Sequence, residues 1–157
     1  MAKKSGDKIS KLICYSTGPR GEMPGRFETV EQSRESLKKK GLEVTAKNIA
    51  KTWFIKGENA KYFDICIKVG KQTSISAADN ALIAFKDWNG VKMLKKIKND
   101  TLIVWGDQDK SYTIDQIQIL KKNIPNSSLS IFKDCAHNVH LEKVDEFNNK
   151  IQEFLNR

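Results

Sequence analysis

The apolar positions change period along the chain, and the changes mark out its elements. Thr101-Leu-Ile-Val-Trp105 is short, rich in β-branched residues and apolar on both faces before it stops at Gly106-Asp107-Gln108-Asp109, the pattern of a buried strand in a parallel sheet. Ser128-Leu-Ser-Ile-Phe132 predicts a second strand. Between them Ile114, Ile117, Leu120, Lys121 and Ile124 recur at helical spacing, and the helix ends ahead of Pro125. After His137 the residues Val144, Phe147, Ile151, Phe154 and Leu155 share one helical face. Strands alternating with helices of this length predict right-handed crossover units and a parallel α/β sheet.

An earlier strand, Lys11 to Ser16, runs into Thr17–Gly25, whose three Gly and two Pro predict a long loop. From Phe27 to Lys98 the pattern is helical. A first helix carrying Phe27, Val30, Arg34 and Leu37 halts at Gly41, and a second, opened by Thr45, covers Val44 to Ile55. A third spans Tyr62 to Val69, and a fourth, capped by Ser76, carries Ala77, Ala81, Ile83 or Ala84, and Trp88. The division is therefore 1–26 for a helix end, first strand and hinge loop, 27–98 for a helical insertion, and 99–157 for the remaining α/β core.

Composition narrows the function classes. A chain of 157 residues is one ordinary globular domain. Its apolar runs fall far short of a membrane span, and MAKKSGDKISK has no signal-peptide pattern, so a cytoplasmic location is expected. Cys14, Cys66 and Cys135 fit no disulfide framework. The net charge of +9 is unevenly spread: residues 1–100 hold 21 basic against 11 acidic residues, and 101–157 hold 7 against 8. The Lys38–Lys40 triplet and the Lys92, Lys95, Lys96, Lys98 group lack interleaved aromatics, so they read as solvated helix surface and nucleic acid is an unfavoured partner. The loop at 18–25 lacks the Lys-Ser or Lys-Thr that completes a phosphate cradle.

Three stretches carry a resemblance: TLIVWGDQD (101–109), DCAHNVHLE (134–142) with the closing helix FNNKIQEFL (147–155), and LICYSTGPRGEMPGRFE (12–28). Together they resemble the carboxy-terminal half of an α/β-hydrolase-fold enzyme. The resemblance implies a partial α/β-hydrolase fold, with parallel strands, flanking helices and a helical lid over 27–98. It makes Asp109 the acid and His137 the base of a catalytic triad, with Asp107 and His140 as neighbours. Residues that leave adjacent parallel strands emerge side by side in the crevice where such sheets bind ligands. There an Asp can fix one imidazole nitrogen so that the other takes a proton from a nucleophile.

The triad's Ser belongs in a Gly-x-Ser-x-Gly turn. None of the serines here has Gly two residues before and two after it. MAKKSGDK is read as the end of the nucleophile's helix, so the expectation is a truncated chain holding the acid and the base, inactive alone. The implied reaction is serine attack on an ester or a related small acyl or carbon–carbon substrate, without a cofactor. The alternative is a non-catalytic remnant, a homodimer through an open strand edge or another partner-binding module. Zinc held by Cys135, His137 and His140, and Cys135 as a replacement nucleophile, are weaker readings.

Overall fold

The structure, a computed structural model, describes residues 8–21, 23 and 25–157. The helix end read into MAKKSGDK falls on residues 1–7 and lies outside them. Three parallel strands, β1 (Lys11–Tyr15), β2 (Asp100–Gly106) and β3 (Ser127–Phe132), form one sheet in that order. Tyr15 lies opposite Val104 and Gly106 opposite Phe132, so the three strands finish together at one edge.

The two-sided apolar pattern of β2 has a direct cause. Ile103 and Trp105 pack on one face with Leu94, Ile117, Leu120 and Ile124, while Leu102 and Val104 pack on the other with Phe132, Val139 and Phe154. With both faces covered, every position from Thr101 to Gly106 is buried. The helix that joins β2 to β3 covers the first face, and the closing helix (Val144–Leu155) covers the second. Lys11 ties the closing helix to β1, its Nζ donating to the carbonyls of Phe154, Leu155 and Arg157 at 2.8–2.9 Å. A cation among the last carbonyls offsets the helix dipole.

Between β1 and β2 run α1 (Val30–Lys51), α2 (Phe63–Gly70), α3 (Ile75–Lys86) and the short α4 (Val91–Leu94). After β2 come α5 (Ile114–Asn123), α6 (Val139–Glu142) and α7, the closing helix. Gly41, at φ 79° and ψ −178°, breaks α1 into two helical segments, in the conformation that favours glycine.

Several predicted helix ends differ from those observed. Thr29 caps α1 through a box with Gln32, which leaves Phe27 outside the helix and exposed. Thr45 opens nothing; its hydroxyl donates to the Gly41 carbonyl within the helix. The second segment stops at Lys51 rather than Ile55, because Thr52 closes it with backbone and hydroxyl bonds to Ile49. Phe54 then turns into a small core with Ala50 and Phe63. Ser74, not Ser76, caps α3, accepting from the Ala77 N–H, and Trp88 lies beyond the helix and exposed. The boundaries at Thr29, Thr52 and Ser74 are each set by a hydroxyl–backbone bond, which apolar spacing does not register. Among the described residues no helix is long and apolar enough to cross a membrane.

Candidate active site

β2 ends at Gly106, and the chain turns at once over Asp107, Gln108 and Asp109. The Asp107 N–H donates to the Phe132 carbonyl and the Gln108 N–H to that of Cys135, which zips the loop after β2 to the loop after β3. Asp107 also faces this seam, accepting from the Cys135 N–H at 3.4 Å. Asp109 forms a turn of its own, in which Oδ1 accepts from the Ser111 N–H at 2.7 Å and the Tyr112 N–H at 3.3 Å. Its other oxygen is left facing outward from the turn.

That oxygen, Oδ2, lies 3.0 Å from His137 Nδ1. The Asp109 carboxylate is fully buried, and the His137 side chain is 18% exposed. The two residues nominated from sequence are therefore in contact, 28 positions apart in the chain. With Nδ1–H donating to the carboxylate, Nε2 keeps its lone pair.

Further residues hold the imidazole and its backbone in place. Trp53 stacks on one face at 5.6 Å between centroids and Tyr112 at 6.1 Å, the ring planes inclined by 24° and 20°. The His137 carbonyl accepts from Ser16 Oγ at 2.7 Å and Tyr15 Oη at 3.0 Å, so the end of β1 fixes the backbone of the histidine. Ser16 is buried and sits at φ 38°, a backbone cost that persists because its surroundings hold it there. Glu142 bridges two segments: Oε2 accepts from the Ala136 N–H at 2.7 Å and Oε1 from the Ile55 N–H at 2.8 Å. The Asn138 N–H donates to the Trp53 carbonyl. For Glu142 a signal existed, since it closes the His-Leu-Glu segment. For Trp53 the signal was weaker: it is one of the aromatics of the helical insertion, which read as its core with some lining a pocket roof, and the turn after α1 brings it to the ring.

The remaining polar candidates have other partners. His140 Nδ1 lies 2.6 Å from Tyr15 Oη, and burial holds its imidazole below the ordinary value. The sign follows: the folded state binds this proton less tightly than the unfolded state does, so His140 favours folding above pH about 6.5 and that contribution is lost as pH falls through its folded pKa. An NMR titration should place the His140 midpoint below about 6.5; a midpoint above it would contradict this account of the ring. Burial pushes the Cys135 thiol up to about 12, helped by the neighbouring Glu142, to which it donates at 3.7 Å. A thiol so protonated at neutral pH is a poor nucleophile and a poor zinc ligand. Among the described residues no three His, Cys, Asp or Glu side chains are placed to hold a metal.

His137 opens onto a cavity of about 450 Å³ between the sheet edge and helices α1 to α3, walled by Leu37, Ile49, Trp53, Leu82, Phe85 and Tyr112 among others. That volume suits a small organic molecule.

The α/β hydrolase fold family matches residues 20–144 of the chain. A 2-hydroxy-6-oxononadienedioate/2-hydroxy-6-oxononatrienedioate hydrolase of Escherichia coli is 42% identical to it over 64 residues, which are 41% of this chain and 22% of that protein. A hydrolase of the same description from Pseudomonas putida is 40% identical over 62 residues, covering 40% of this chain and 22% of its own. Among solved structures, the enol-lactonase from Burkholderia xenovorans LB400 is similar with a TM-score of 0.88 at 19% identity, over 99% of this chain and 60% of that one. An esterase from Exiguobacterium antarcticum gives 0.85 at 20%, over 95% and 58%. These structural likenesses speak to the fold. The matched stretch is thus 22% of the curated relatives' length, and the chain spans somewhat more than half of each structural neighbour.

Proposed function

The chain belongs to the α/β hydrolase fold family, and from that membership we propose that Asp109 and His137 are the acid and the base of a serine-type hydrolase. The observation that carries this is the 3.0 Å contact between Asp109 Oδ2 and His137 Nδ1 at the common end of adjacent parallel strands, with a cavity beside the ring. In this reading Nε2 takes the proton of an attacking Ser hydroxyl as its oxygen bonds to the substrate carbonyl carbon. The imidazolium formed is held by the Asp109 carboxylate, and its proton then passes to the leaving group. Water, deprotonated by the same nitrogen, releases the acyl product and restores the Ser. The segment 27–98 acts as the lid over this pocket, and the substrate is an ester or a related small acyl or carbon–carbon compound.

These 157 residues hold no Gly-x-Ser-x-Gly turn. On this reading the Ser comes from another stretch of polypeptide, and these residues by themselves do not turn over substrate. Hydrolysis of p-nitrophenyl esters by the purified chain should not exceed that of its His137→Ala variant. Clear turnover that disappears in the variant would refute inactivity. Failure of a polypeptide that adds the Ser turn to show His137-dependent turnover would refute the triad.

A second reading has one observation in its favour: among the described residues β1 pairs only with β2, leaving its outer edge open to another chain. On that reading the protein is a non-catalytic module that dimerises or binds a partner. Light scattering decides between them, since a stable dimer that no added Ser turn activates would favour the module.

A further inference from the structure

Two helices give the cavity beside His137 its shape. Leu42, Ala46 and Ile49 line it from α1, and Ala78, Leu82 and Phe85 from α3. Each trio follows the spacing i, i+4, i+7, which keeps it on one face of its helix and spreads it over about 10 Å of helix length. One end of each stripe is fixed near the base. The chain leaves α1 soon after Ile49 to bring Trp53 onto the His137 ring, and Phe85 packs against the core cluster that contains Tyr112, the other ring stacked with His137. The opposite ends, at Leu42 and Ala78, therefore lie away from the imidazole.

The side chains shrink along the way. Large rings, Trp53 and Phe85, stand at the His137 end, whereas Ala46 and Ala78 stand beyond them. Gly70 of α2 also lines the cavity, and it lies so close to α1 that an added Cβ would come 3.0 Å from that of Ala46. Among the described residues, no lining side chain from α1, α2 or α3 is charged; the charged ones, Arg26 and Lys110, come from the loops before α1 and after β2. A volume of about 450 Å³ drawn out in this way is a channel with a base at one end and uncharged helix walls leading away from it. A charged tail among those walls would lose water and gain no partner, whereas each methylene there exchanges water for apolar surface. Branches close to the reacting carbonyl would meet the large rings.

We propose that the channel selects esters whose longer arm is an unbranched, uncharged aliphatic chain, with its tail lying between Ala46, Gly70 and Ala78. The inference deepens the hydrolase reading and rests on it in one respect, that the reacting carbonyl sits at His137. The small residues leave the space that the tail fills, so they determine specificity and take no part in proton transfer.

Isothermal titration calorimetry of the full chain with methyl esters at neutral pH is the test. From methyl butanoate to methyl octanoate the affinity should rise about fourfold per added methylene, the transfer free energy of that group. Two further probes keep the size of the octanoate. Methyl valproate, its branched isomer, and monomethyl suberate, which carries a carboxylate at the tail, should each bind at least about tenfold more weakly. Ala78→Leu keeps a strong helix former and shortens the channel, so it should bring methyl octanoate down to near the affinity of methyl butanoate and leave the butanoate unchanged. A flat length series, no binding of any ester, or a valproate or suberate ester that binds as tightly as the octanoate would overturn the proposal whether or not the variant folds. A folded Ala78→Leu protein with the full length dependence would overturn the placement of the tail. Binding is read here without turnover. If Asp109 and His137 proved non-catalytic the preferences would remain, and a triad that is active once a Ser turn is added would survive their failure.

Discussion

Gly106→Ala should cost the fold about 3 kcal/mol or more, a large share of the stability of a domain this size. A Cβ placed on Gly106 would lie 2.2 Å from the Ala136 carbonyl oxygen and 2.3 Å from that of Cys135. Both are backbone atoms, and neither can swing aside as a side-chain tip can. The Cys135 carbonyl is already occupied as acceptor for the Gln108 N–H, and the Asp107 N–H bonds the Phe132 carbonyl next to it. Room for a methyl group can come only by prising the loop after β2 from the loop after β3, which breaks both bonds and moves Asp109 away from His137. The same change at Gly41 meets open space and only the strain of φ 79°, so Gly41→Ala should cost about 1 kcal/mol. Urea denaturation followed by circular dichroism measures both. If Gly106→Ala unfolds at the midpoint of the unaltered chain, the close approach described here is wrong.

This packing also explains why the region was legible in the sequence. The Trp-Gly-x-x-Asp stretch combines a strand apolar on both faces, a glycine where two loops touch and an Asp with a turn to build, and each residue type has one physical use there. The contact of Asp109 with His137 follows from adjacent parallel strands ending at one edge. The helical segment was less legible. Its helices were found, but their ends were displaced wherever Thr or Ser competed for the backbone, as at Thr29, Thr52 and Ser74. Placing the end of the second segment at Ile55 kept Trp53 inside a helix, whereas the stop at Lys51 frees its indole to stack on His137. Tyr15 and Ser16 were assigned to a strand and nothing more, because their bonds to the His137 carbonyl join residues more than 120 positions apart. Contacts of that range leave no periodic trace.

Asp109→Asn should separate stability from chemistry at the same position. The side chain is isosteric, so its oxygen can still accept from the Ser111 and Tyr112 N–H groups, and the turn after β2 should survive at a cost of about 1 kcal/mol. Toward His137, however, an NH₂ group replaces the carboxylate oxygen. A donor there requires Nδ1 to accept, which moves the ring proton to Nε2, the nitrogen that takes the proton in the mechanism we propose. In a polypeptide that supplies the Ser, activity should fall by about 10⁴, the scale seen when such a base is held in the wrong tautomer. The isolated chain offers its own readout, since ¹⁵N shifts of the His137 ring report which nitrogen is protonated. Asp109→Ala serves as the contrast. It removes the acceptor from two backbone N–H groups and from the ring together, so it should destabilise by about 2–4 kcal/mol and leave the imidazole without a fixed tautomer. Should the asparagine variant keep the proton on Nδ1, the carboxylate is not what orients this histidine, and the stacked faces of Trp53 and Tyr112 would have to suffice.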